Sequence, residues 1–387
     1  MGRRSWRNQV EKILAGDPAT LLAHWRTKFA ERIADRTERV VLCGAGYLGK
    51  WVLNRLRGAG CEPLAFCDNS PRLWGQVVHG VGVLSPEQAI SLHGGAALFV
   101  VTVYTCAPLL VQMRDLGARV ITFPEFAWAN PEWLLPHAAL DLPQSIFDDA
   151  EAVREAAEIW HDEASFQEYV GQLHWRTSLD EATLPSHLAP NETYFPLDLL
   201  TRSDDEVFVD CGAFDGDSIR TFIERWGGSF GRAIGIEADP VNCRRMQDYF
   251  ASVPAPLRSR LTALNLAVGA AEGLVRFNTT GTAGSSIGAG EMEVRCEPLD
   301  KALGSEIPTF IKMDIEGAET EALLGARETL KRHAPVLAVC LYHRPSDLWR
   351  IPLLIRSIQP SYRLFLRRYA DDCWEEVCYA IPESRLK

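Results

Sequence analysis

The sequence predicts an α/β chain of two Rossmann-like domains joined by a helical connector. Three observations carry this reading. Short apolar strands alternate with amphipathic helices over residues 39–125 and again over 201–387, and such alternation produces parallel sheets. Each series opens on a strand running into a glycine-rich turn, RVVLCGAGYLG at 39–49 and VFVDCGAFDGD at 207–217. Between them, residues 126–200 concentrate Trp128, Trp133, Trp160 and Trp175 with helical charge patterning.

Residues 1–38 read as a helical segment. Val10, Ile13, Leu14, Leu21, Leu22, Trp25, Phe29 and Ile33 recur at helical spacing, with a break near Gly16-Asp17-Pro18. In the first domain RVVLCG is a strand and Leu48–Arg57 a helix. PLAFCD is a strand ending on Asp68, AALFVVTV another, Pro108–Leu116 a helix and RVITFPE a last strand. Residues 126–200 are read as a connector, helical from Ala150 to Leu173, closing on the loop LAPNETYFP. In the second domain EVFVDCG, RAIGIEAD, LTALNLAVG, TFIKMDIEG and PVLAVCLYH are strands separated by helices over Ser218–Trp226, Pro240–Ala251 and Glu319–His333. A helix through Ile358 follows, and YRLFLRRY with WEEVCYAI closes the chain as a hairpin.

At 387 residues, 47% apolar and 24% charged, the chain can bury two cores. Its net charge of −11 argues against a nucleic-acid partner. No apolar run reaches membrane-span length, and MGRRSWRNQVEKILAG lacks the apolar core of an export signal, so a cytoplasmic location without membrane contact is expected. A homo-oligomer is compatible with these features. Ten scattered cysteines form no C-x-x-C pair and are read as buried small hydrophobes rather than a zinc site.

The two glycine turns differ in charge. Gly44-x-Gly46-x-x-Gly49, with Asp68 19 residues further on, has dinucleotide spacing. It carries no acid and suits a nucleotide or sugar phosphate, or it merely closes a βαβ unit. The second turn, with Gly212, Ala213 and Gly216, is ringed by Asp210, Asp215 and Asp217. Three carboxylates repel a pyrophosphate and favour a cation. S-adenosylmethionine, with its sulfonium and ammonium, is such a ligand. Glu237 ends the next strand and can accept both ribose hydroxyls. Ala267 and Val268 end the third and offer a small apolar face to adenine.

VFVDCGAFDGDS, IGIEADP, LNLAVGAAEG and FIKMDIEGAETEALLGA resemble the successive motifs of FkbM-type S-adenosylmethionine-dependent methyltransferases, and LYHRPSDLWRIPLLIRSIQPSYRLFLRRY with EEVCYAIP resembles that family's C-terminal portion. The resemblance covers roughly residues 190–382. It implies a class I methyltransferase sheet ending in an antiparallel hairpin, and O-methylation of a hydroxyl on a sugar, nucleotide-sugar or secondary metabolite. GAGYLGKWVLNRL, AFCDNS and VHGVGVLSPEQA resemble the nucleotide-sugar-binding domain of bacterial sugar acetyltransferases.

An alcohol must lose its proton during methyl transfer. Asp314 and Glu316, at a strand's carboxyl end, could orient the acceptor, hold a divalent cation or act as base. Glu319 is expected to stabilise the start of the next helix. His343, also at a strand end, is a candidate neutral base. Arg344, Arg367 and Arg368 could bind an acceptor anion, with a solvated face expected for Arg367 and Arg368. Ser285 or Ser286 in the loop GTAGSSIGAG could cover the site, and Tyr194 could cap the cofactor while Phe195 packs in the core. Two other functions remain open: an NAD(P)-dependent oxidoreductase with Asp68 on the ribose, and a non-catalytic sugar-nucleotide-binding protein.

Overall fold

In a computed structural model of the protein, residues 3–29, 39–278, 286–287 and 292–387 are described. The first sheet is built from β1 (Arg39–Cys43), β2 (Ala65–Cys67), β3 (Val77–Val78), β4 (Val81–Leu84), β5 (Ala97–Val101) and β6 (Val120–Thr122), in the order β3-β4-β2-β1-β5-β6. Only β3 runs antiparallel. Val40 and Leu42 of β1 feed one apolar cluster, Val41 and Cys43 another. That period-2 split, with four of the five residues of β1 and all five of β5 buried, marks a sheet covered on both faces.

The second series supplies β7 (Val207–Cys211), β8 (Arg232–Ile236), β9 (Leu261–Leu264), β10 (Ala267–Val268), β11 (Gly273–Asn278), β12 (Ser286–Ile287), β13 (Met292–Glu297), β14 (Phe310–Met313), β15 (Val336–Cys340), β16 (Arg363–Arg368) and β17 (Glu376–Ile381). Seven of them form one sheet in the order β16-β17-β15-β14-β7-β8-β9, parallel except for the expected terminal hairpin. The stretch LTALNLAVG is not one strand. Asn265 donates through Nδ2 to the carbonyls of Glu237 and Ala238, at 2.8 and 3.1 Å, and the chain leaves the sheet there. β10 then joins a smaller sheet, β10-β13-β11-β12.

Other boundaries also differ from the expectation. RVITFPE is strand only to Thr122, because Thr122 and Glu125 form a reciprocal capping box that starts the helix Phe123–Ala129. The N-terminal segment is two helices, Arg3–Leu14 and Pro18–Phe29, parted at the expected break near Gly16-Asp17-Pro18. The first stacks Trp6 on Phe166 of the connector helix Glu163–Ser178, with ring centroids 4.4 Å apart. The second sets Trp25 edge-on to Trp128 beneath the first domain.

Arg367 and Arg368 are not a solvated face. Arg368 is buried against Glu168 at 2.7 Å, and Arg367 is mostly buried and reaches Asp162. Both tie the hairpin to the connector, where Arg176 and Glu376 add a buried pair at 2.8 Å. The turn between β16 and β17 reaches further. Trp374 packs within the first domain's aromatic cluster, 4.4 Å from Tyr104 and 5.8 Å from His137. The first domain's cluster thus takes in two buried residues of the hairpin turn, Cys373 and Trp374. Among the described residues no helix is long and apolar enough to cross a membrane.

Candidate functional site

In the second sheet the strand order reverses between β7 and β14. Open α/β sheets hold ligands beyond the carboxyl ends of strands at such a point. A cavity of about 720 Å³ lies there, within the roughly 300–1,000 Å³ usual for small-molecule sites. Its wall includes Gly212, Phe214, Asp217, Glu237, Ala267, Val268, Asp314, Glu316 and His343.

The acidic turn is arranged differently from the expectation. Gly212 has φ +80°, and a Cβ there would lie 1.8 Å from the Asp314 carbonyl oxygen. The glycine thus lets the turn close on the neighbouring strand end. Gly212→Ala is expected to destabilise the protein by about 1–3 kcal/mol from the left-handed backbone alone, read as a fall in chemical-denaturation midpoint; an unchanged midpoint would refute this packing. Ala213 is fully buried in the core, and Gly216, φ +87°, packs on Tyr249 and Met246 at the start of the helix Asp217–Arg225. Neither borders the cavity. Asp215 faces Arg220 at 3.9 Å instead. Asp210 lies beneath the turn, fully buried, with Oδ1 2.9 Å from Lys312 Nζ. Of the three aspartates expected to ring a ligand, Asp217 alone reaches the cavity.

Lys312 is a residue to which the sequence reading gave no role of its own. Its ammonium bonds Asp210 and, at 3.1 Å, the Gly212 carbonyl, and lies 4.0 Å from Asp314. Burial opposes the charge, but Asp210 and Asp314 hold it cationic. Burial pushes Asp210 up while the Lys312 charge, 2.9 Å away, limits the rise. A lysine inside the buried run FIKM was the available signal, since buried lysines are paired.

Glu237 is well placed to hold a ligand. Its oxygens accept from the N–H groups of Phe214 and Asp239, at 2.8 and 2.7 Å, which fixes the carboxylate at the cavity wall. Burial raises it to about 7. Ile236, Leu266, Ala267 and Val268 form an apolar patch of the same wall.

Asp314, Glu319 and His343 form a clamp. His343 Nδ1 lies 2.7 Å from Glu319 Oε1, and Nε2 lies 3.3 Å from Asp314 Oδ1. Burial disfavours the imidazolium, yet the two carboxylates raise its pKa well above the usual value. His343 is accordingly a held cation with both nitrogens engaged, not the neutral base expected. Glu319 accepts from the Ile315 N–H and orients His343, a role beyond the helix-end one expected. Asp314 also accepts from Tyr194 Oη at 2.8 Å and Tyr342 Oη at 3.2 Å. Burial works to raise it, but the His343 hydrogen bond and the Lys312 charge hold it well below the carboxylate range. That makes Asp314 a fixed anion and a weak base.

Glu316 is the contrast. It stands at φ +56°, about a third exposed, and burial raises it to about 7. Glu375, at φ +53° on the hairpin turn, borders the cavity too and is also raised by burial to about 7. Of nine non-glycine residues with positive φ among those described, five line this cavity: Ala138, Tyr194, Phe214, Glu316 and Glu375. Backbone strain of this kind concentrates at functional sites.

The remaining expected residues fall elsewhere. Phe195 is in the core and Arg344 is exposed outside the cavity wall. Ser285 and the loop around it lie outside the described residues, as does the Ser286 side chain. Gly44 and Gly49 pack the first turn tightly: a Cβ on Gly49 would come 1.9 Å from the Gly44 carbonyl, while Gly46 is open. Asp68 accepts from the N–H groups of Ala45 and Ser70, at 2.9 and 2.8 Å, and holds its own turn. None of these four borders the cavity, but Tyr47, beside Gly46, does. Among the described residues, one trio of possible metal ligands comes within 4.8 Å, Cys106, Glu181 and Asp372, and it too is off the cavity wall. Asp314 and Glu316 belong to no such trio.

Residues 210–370 match the family model of the methyltransferase FkbM domain. Over 98% of both chains, the protein is similar to a crystal structure of methyltransferase FkbM from Methylobacillus flagellatus KT, with 26% identity and a TM-score of 0.75. The methyltransferase domain of bacterial CtHen1 matches 46% of this chain and 90% of its own at 11% identity, and the mitomycin 7-O-methyltransferase MmcR matches 64% and 72% at 12%, with TM-scores of 0.30 and 0.26. No curated protein matches significantly.

Proposed function

We propose that this chain, which carries an FkbM methyltransferase domain over residues 210–370, transfers a methyl group from S-adenosylmethionine to a hydroxyl of a small acceptor. The observation that carries this reading is the cavity at the strand reversal, walled by a backbone-fixed Glu237, an apolar patch and the ionised Asp314. The fit is chemical: Glu237 for ribose hydroxyls, Ala267 and Val268 for adenine, Asp217 and Asp314 for the positive charges. S-adenosylmethionine, when bound, supplies a sulfonium methyl that an oxygen nucleophile takes while the C–S electron pair stays on sulfur.

The chain's own residues divide the remaining work. Glu316 is the proton acceptor, because Asp314 is too weakly basic and His343 already carries its proton. Its pKa near 7 suits a base at neutral pH. Glu319 positions His343, and the pair with Tyr194 and Tyr342 keeps Asp314 in place.

Calorimetry of the purified protein with S-adenosylmethionine and with NAD(H), each alone, tests the reading. Binding of the first is expected, with Glu237→Ala weakening it by about 1–3 kcal/mol as ribose hydroxyls lose their acceptor. Tight NAD(H) binding without S-adenosylmethionine binding would overturn it.

A further inference from the structure

The cavity is not made by the second domain alone. Tyr47 is the first residue of the helix Tyr47–Gly58 that follows β1, and Tyr104 and Thr105 follow β5. These are carboxyl-end positions of the first sheet, and all three residues line the cavity. Both sheets thus present their ligand-binding edges to one space. Trp374, packed on Tyr104, seals the seam between them, and Glu375 beside it returns to the wall. Tyr47 is 49% exposed and Thr105 is exposed.

The charges of this space are one-sided. Five carboxylates line it, those of Asp217, Glu237, Asp314, Glu316 and Glu375. The cations among the described lining residues are Lys312 and His343, and carboxylates already engage both. At the first glycine turn Asp68 takes the Ala45 N–H, while the helix Tyr47–Gly58 starts on Gly46 without a side-chain cap. Burial and then the Glu316 charge raise the Tyr47 phenol, which places that carboxylate's field at the first domain's edge.

We propose that the first domain completes the acceptor site, with Tyr47 and Tyr104 as specificity-determining residues that select a phosphate-free, hydroxyl-bearing ring. Their aromatic rings supply apolar area with a polar tip, and Glu316 and Glu375 can accept hydrogen bonds from the ring's hydroxyls. A phosphorylated acceptor would instead bring an anion among five acidic side chains, Asp314 held ionised among them, in a partly desolvated space. This rests on the methyltransferase reading above and narrows it, by excluding nucleotide-linked sugars.

Transfer of labelled methyl from S-adenosylmethionine to methyl glycosides of hexoses and 6-deoxyhexoses, and to the nucleoside-diphosphate forms of the same sugars, tests the proposal. The expected result is transfer to uncharged members alone. Tyr47→Ala should raise their KM at least tenfold with kcat within twofold, and leave the calorimetric affinity for S-adenosylmethionine unchanged. Tyr47 is half exposed, so this variant spares the core. Transfer to the nucleotide sugars at comparable kcat/KM, transfer to no uncharged member, or an unchanged KM in Tyr47→Ala would overturn it. Loss of S-adenosylmethionine binding by the unaltered protein, measured in the same preparation, is the separate outcome that fells the methyltransferase reading.

Discussion

Glu316→Gln is expected to lower kcat for methyl transfer by roughly 10²–10⁴-fold, the usual contribution of a positioned general base, with S-adenosylmethionine affinity unchanged. The amide keeps the shape and loses the proton-accepting oxygen. Because Glu316 has its pKa near 7, the wild-type rate should rise with pH as the carboxylate ionises and level off above about pH 8. In Glu316→Gln that rise should be absent. Glu237 and Glu375 also lie near 7, so the variant is needed to assign the profile. A variant retaining both the rate and the pH-dependent rise would move the base elsewhere, with Glu375 the next residue to replace.

Lys312→Met should cost about 3–5 kcal/mol of stability, because it strands a fully buried carboxylate at Asp210 without its partner. Urea denaturation followed by far-UV circular dichroism measures it. Asp210→Asn in the Lys312→Met background should recover part of the loss, since the buried charge is then gone. Equal stability of the Lys312→Met and wild-type proteins would show that the pair is not a structural requirement. The variant should also raise the pKa of Asp314, which loses a neighbouring cation.

The alternation of strands and helices, and the carboxyl-end positions of Glu237, Asp314 and Glu316, were legible because backbone periodicity and strand ends are local signals. What the sequence concealed was pairing between distant side chains. Lys312 and Asp210 are 102 positions apart, and Arg176 and Glu376 are 200. No local pattern tells which acid a lysine or arginine meets, so Asp210 looked free, His343 looked neutral, and Arg367 and Arg368 looked solvated. The end of β9 was marked by Asn265, a polar residue inside an apolar run, and the helix after β6 by the Thr-x-x-Glu pattern at 122–125. Tyr47 was hidden differently: its role depends on how two sheets face each other, which periodicity does not encode.

The insertion of Trp374 into the first domain also bears on the order in which the molecule acquires its structure. The aromatic pocket formed by Tyr104, His137 and Phe123 is filled from a turn far along the chain. During synthesis the first sheet can pair its strands early, but that pocket stays open to water until the hairpin has been made and folded back. An isolated fragment of residues 39–142 would carry the same open apolar surface and is expected to self-associate. Closing the pocket and bringing Glu375 to the cavity are the same event, so a chain acquires its complete site only when its two domains have docked.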